Sequence, residues 1–137
     1  MAKALQITVS QQQGRVPVTV FHISGDIDAN SYEIFEKQAQ ETIQAGTRYL
    51  LLDMTKVTFM SSAGLGTLHA IFSWLRSETS GESDETVRQG LRDGTYKSPH
   101  LKLLNPSPRV LETLTVTGFD MFLEIHRNLK EAVASFG

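Results

Sequence analysis

Asp53–Phe72 reads DMTKVTFMSSAGLGTLHAIF, and the change of hydrophobic period inside it decides the fold class. It overlaps the short apolar run Tyr49–Met54, YLLLDM, whose continuous hydrophobicity is that of a strand covered on at least one face. A loop follows. The small residues Ser61, Ser62, Ala63 and Gly64 then open a helix predicted over about Ser62–Arg76. At about 100° per residue, Leu65, Leu68, Ile71, Phe72 and Leu75 share one helix face. A buried strand leading into an amphipathic helix is one unit of an α/β fold.

Upstream, Leu5–Val9 alternates in polarity, and Val16–Ile23 (VPVTVFHI) is rich in β-branched and aromatic residues. Both are predicted as strands, joined by a hairpin turn at Gln11–Arg15 around Gly14. Pro17 suits the start of the second strand or an unpaired edge position, and Gly25 is expected to break it. Asp26-Ile27-Asp28 leads into a helix predicted over Ser31–Ala45. Ile34, Phe35, Gln38, Ala39, Thr42 and Ile43 lie on one side of it, with Asn30 or Ser31 as N-cap and Gly46 as the stop. Downstream come a strand at His100–Leu104, a helix over Pro108–Thr115 closed by Gly118, a strand at Met121–Ile125 and a helix over Leu129–Phe136 capped by Asn128. Strands alternating with helices after an opening hairpin give a mixed β-sheet with packed α-helices, in a single domain spanning residues 1–137.

Composition narrows the function. The chain has 137 residues, 40% of them apolar, which is enough for a core without staples. It contains no cysteine, so thiol nucleophiles and thiolate metal sites are excluded. Thirteen Lys and Arg against fifteen Asp and Glu leave a net charge of −2, with no basic run to neutralise phosphates, so nucleic acid is not an expected partner. The longest apolar runs are too short to cross a bilayer, and the amino-terminal residues lack the apolar stretch of a signal peptide. A cytoplasmic domain with no membrane partner is the expectation.

One segment departs from the pattern. Ser77–Ser98 holds only Val87, Leu91 and Tyr96 as apolar residues and is predicted as a solvated surface insertion, with a short helix around Asp84–Arg92.

Adjacent hydroxyls at a helix start have two uses: Ser61 or Ser62 can cap the helix, or one can accept a phosphate that the free N–H groups there would favour. His22, His69, His100 and His126 have no metal-ligand spacing, and Gly64 with Gly66 completes no dinucleotide motif. Trp74 lies opposite Leu65 on the helix, with Ala63, Thr67 and Ala70 on its side. That strip is either a docking surface running from the serines or a second buried face.

The string V57-T-F-M-S-S-A-G-L-G66 resembles the signature of the bacterial anti-sigma factor antagonists, the STAS domain family. G25-D-I-D28, L103-L-N-P-S-P-R-V110 and T117-G-F-D120 resemble further family motifs in the same order. The resemblance implies a non-enzymatic STAS-like domain without a cofactor, which binds an anti-sigma factor or serine kinase and is switched by phosphorylation of the serine opening the second helix. That serine maps onto Ser62. The family's preceding acidic residue is replaced by Ser61, which becomes the alternative acceptor. The partner-binding residues are then expected among Asp26, Asp28, Ser61, Ala63, Gly64, Thr67, Ala70 and Trp74. Two other readings remain: an assembly module that is not switched, and a small magnesium-dependent phosphatase using the D-x-D of Asp26 and Asp28.

Overall fold

The structure is a computed structural model that describes residues 4–79 and 83–137. Five strands form one sheet in the order β1 (Gln6–Gln13), β2 (Pro17–Ile27), β3 (Leu50–Met60), β4 (Leu101–Leu104) and β5 (Ile125–His126). β1 runs antiparallel to β2, and the remaining neighbours are parallel. Four helices, α1 (Tyr32–Gln44), α2 (Ser62–Glu78), α3 (Asp84–Asp93) and α4 (Pro108–Thr117), contribute to the larger core on one face. The last helix, α5 (Leu129–Ala134), covers part of the other. No helix among the described residues is long and apolar enough to cross a membrane.

The unbroken apolar run at Leu50–Leu52 follows from this two-sided cover. Leu50 and Leu52 point into the larger core with Phe21 and Ile23, whereas Leu51 points with Val18 and Val20 toward Val133 and Phe136. β2 does not break at Gly25. That residue sits at φ 110°, where glycine carries no steric penalty, and the β2–β3 register shifts beside it before pairing resumes at Asp26. β3 likewise runs on through the segment expected as a loop, because its ladder with β2 continues to Ile27 and Met60 while Thr55, Lys56 and Thr58 are exposed. On α1 only Phe35, Ala39 and Ile43 are buried, and Ile34 points to solvent. The expected strand at Met121–Ile125 is instead a single 3-10 turn at Phe119–Met121 followed by the two-residue β5.

The insertion is more than a solvated loop. Ser83 caps α3 by accepting the Thr86 N–H, and Gly94 closes it in the left-handed conformation. Val87 is 1% exposed, and both it and Tyr96 join the larger core, where the Tyr96 ring meets Phe72 edge-on at 6.1 Å. Arg76 of α2 also bonds Asp84 at 2.7 Å. Two apolar residues therefore seat a segment whose composition is otherwise that of a surface. Residues 80–82 of this expected insertion lie outside the described residues.

Candidate phosphoacceptor and partner-binding site

β2 and β3 end side by side, Asp26 opposite Phe59 and Ile27 opposite Met60. Loops at the carboxyl ends of parallel strands are the usual place for a site in such a sheet. Here residues 28–31 lead from β2 into α1, and Ser61 alone joins β3 to α2.

The two serines occupy different positions. Ser61 is extended (φ −89°, ψ 178°), and its hydroxyl accepts the Gly64 N–H at 3.4 Å as the N-cap of α2. Its own N–H donates to the Ile27 carbonyl at 2.9 Å. Ser62 is the first helical residue and is exposed, and its hydroxyl has no hydrogen-bond partner among the described residues. Capping thus falls to Ser61 and leaves the Ser62 hydroxyl at the positive end of the helix dipole, beside N–H groups with no partner inside the helix.

Asp26 and Asp28 flank Ile27, the residue bonded to Ser61, which sets both acids beside the start of α2. The Asp26 carboxylate accepts from the Thr58 hydroxyl. The Asp28 carboxylate accepts the Asn30 N–H at 2.9 Å and the Ser31 hydroxyl at 3.1 Å, forming the turn that precedes α1. Ser31 closes the same turn by accepting the Asp28 N–H at 3.0 Å. On the other side, the Arg109 guanidinium lies 5.0 Å from the Phe59 ring centre, so a cation joins this edge next to the acids. Thr58 and Arg109 are not marked by the sequence alone, because only the register of β3 brings them here. Among the described residues, no three His, Asp or Glu side chains are grouped as metal ligands would be.

The proposed docking strip is partly corrected. Gly64 is buried because α2 starts hard against the strand ends: a Cβ there would lie 2.8 Å from the Met60 side chain and 2.9 Å from that of Ile27. Thr67 is 3% exposed, its hydroxyl bonded back to the Ala63 carbonyl at 3.3 Å. Neither offers a surface. Trp74 is half-buried against the larger core and shares a crevice with Gln40 and Ile43 of α1, so α2 is covered on two sides. Ala63 and Ala70 are half-buried. What remains outward at the start of α2 is Ser62, with Ser61, Asp26 and Asp28 partly exposed beside it.

Comparison with known proteins agrees with this frame. An anti-sigma factor antagonist from Mycobacterium paratuberculosis superposes with a TM-score of 0.70 over 96% of this chain and 93% of that one, at 20% identity. The anti-sigma factor antagonist SpoIIAA in its unphosphorylated form gives 0.66 over 95% and 93%, at 18% identity. The phosphorylated form of the Bacillus cell fate determinant SpoIIAA gives 0.62 over 93% and 96%, at 16% identity. At these identities the likeness is one of fold. No curated protein matches the chain in sequence. The STAS domain family model matches residues 8–80, from β1 through the end of α2, and the chain belongs to the STAS domain family.

Proposed function

We propose that the protein is an anti-sigma factor antagonist-like regulator of the cytoplasm, which binds a serine kinase or anti-sigma factor and is released when that kinase phosphorylates Ser62. The observation that carries this reading is the unengaged, exposed Ser62 hydroxyl at the first position of α2, next to a serine that already caps the helix. The contact surface is the edge made by Asp26, Asp28, Ser61 and Ser62, with the half-buried Ala63 behind them. A phosphate on Ser62 brings about −1.5 to −2 charge onto an edge that already holds two carboxylates, so a complex formed over that edge is driven apart. ATP and magnesium belong to the kinase, and this chain holds no cofactor of its own in this scheme.

The test is incubation with the native anti-sigma kinase, ATP and magnesium, followed by peptide mapping. One phosphate on Ser62, abolished in Ser62→Ala, is expected. Equal uptake by Ser62→Ala, or mapping to Ser61, overturns the assignment. A kinase-fold partner that binds tightly and transfers no phosphate would favour the assembly module.

A further inference from the structure

We propose that Ser10, His22 and Asp53 form a nucleophile–base–carboxylate relay on the open face of the sheet, able to cleave small polar acyl esters through an acyl-Ser10 intermediate. The residues come from β1, β2 and β3, and their sequence separations of 12 and 31 are closed by strand register. Thr8 and Asp53 lie opposite His22 on its two sides, and Ser10 lies two residues along β1 from Thr8 on the same face. α5 covers this face over Val18, Val20, Leu51 and Leu104. Beyond that cover lies a cavity of about 480 Å³, lined by His22 and Asp53 together with Thr8, Ser24 and Lys56.

The hydrogen bonds run in the order that activates a serine. Ser10 Oγ lies 2.9 Å from His22 Nε2, and His22 Nδ1 lies 2.8 Å from Asp53 Oδ2. The other carboxylate oxygen accepts the Thr55 N–H at 3.1 Å and the Thr55 hydroxyl at 2.6 Å. Burial opposes ionisation of Asp53, but the bonds from Thr55 and His22 outweigh it and hold the carboxyl below its usual value. A charged Asp53 fixes the proton on Nδ1 and leaves the Nε2 lone pair facing Ser10. Ser10 and His22 are then the catalytic residues, and Asp53 is a positioning residue.

Each step balances. Ser10 Oγ adds to the ester carbonyl as His22 Nε2 takes the hydroxyl proton. Collapse breaks the acyl–oxygen bond, and the leaving alkoxide takes that proton to depart as the alcohol. Water then attacks acyl-Ser10, yields a proton through His22, and releases the carboxylic acid with the serine restored. β1 is an edge strand, so alternate N–H groups along it point away from β2 in the plane of the sheet. Lys56 supplies a cation at the cavity and favours an acyl ester with an anionic tail.

The probe is p-nitrophenyl acetate, with mass mapping of the acetyl group on the intact chain. Acetyl on Ser10 is expected, with the protein-dependent rate lowered about 100-fold or more in Ser10→Ala and in His22→Gln, both melting near the unsubstituted protein. Asp53→Asn, assayed well below its melting temperature, is expected to lower kcat with little change in KM. Leu91→Ala, at an exposed position on α3 remote from the relay, keeps the full rate. Acetyl found on lysine and not on Ser10, or an undiminished rate in Ser10→Ala, overturns the relay.

Discussion

Gly64→Ala tests how tightly the start of α2 is seated, and Gly66→Ala is its built-in control. A Cβ on Gly64 would meet the Met60 Cγ at 2.8 Å, the Ile27 Cγ2 at 2.9 Å and the Ile27 carbonyl oxygen at 3.1 Å. The last is backbone within the β2–β3 ladder and cannot swing aside, so α2 or the strand ends must shift. Overpacking of this kind costs about 1–3 kcal/mol, while alanine recovers about 0.5–1 kcal/mol of helix propensity. The net is a loss of up to about 2.5 kcal/mol, or a fall of up to roughly 10 °C in melting temperature at this chain length. Gly66 is exposed, with nothing within 4 Å of its Cβ direction. Gly66→Ala should therefore gain about 0.5–1 kcal/mol. Thermal and urea unfolding followed by circular dichroism read both. A Gly64→Ala protein as stable as Gly66→Ala would refute the close approach of α2 to Ile27 and Met60.

Three further outcomes follow from the packing and electrostatics. Leu68→Ala, at a side chain with no exposure, should cost about 2–5 kcal/mol in urea unfolding. Val87→Ala should cost about 1–2 kcal/mol, because it unseats α3 from the larger core, whereas the exposed Leu91→Ala should stay within about 0.5 kcal/mol. For Asp53, a folded-state pKa lowered below the unfolded value near 4 means stabilisation that is full above that value. It is lost as pH falls through the lowered folded value, so Asp53→Asn should flatten the acid side of a melting-temperature profile and leave its alkaline side parallel.

The α2 unit was legible because every local signal agreed: an apolar strand, small residues at the turn, a hydroxyl cap and an apolar stripe, with Leu68, Ile71, Phe72 and Leu75 all buried. The caps at Asn128 and Gly118 were equally local and stand where the sequence puts them. Features set by long-range pairing were not legible. The polar residues Thr55, Lys56 and Thr58 read as loop, yet they extend β3 because β2 supplies the ladder. Val87 and Tyr96 look too few to hold the insertion, yet both join the larger core, where Tyr96 meets Phe72 edge-on. Helix phase set Trp74 away from the core stripe, but it could not show that α1 covers that side. At the site, adjacency left Ser61 and Ser62 equivalent; the Gly64 N–H and the Ile27 carbonyl distinguish them. The Ser10–His22–Asp53 alignment has no signature in one strand and exists only through register across three.

The most direct measurement is the affinity of the native kinase or anti-sigma partner for the unphosphorylated and the Ser62-phosphorylated protein, by titration calorimetry with Ser62→Ala alongside. An uncompensated charge in a buried contact costs about 2–5 kcal/mol, so the phosphorylated form should bind about 30-fold to several thousand-fold more weakly, with Ser62→Ala binding as the unphosphorylated protein does. Equal affinity of the two forms would contradict the switch at Ser62.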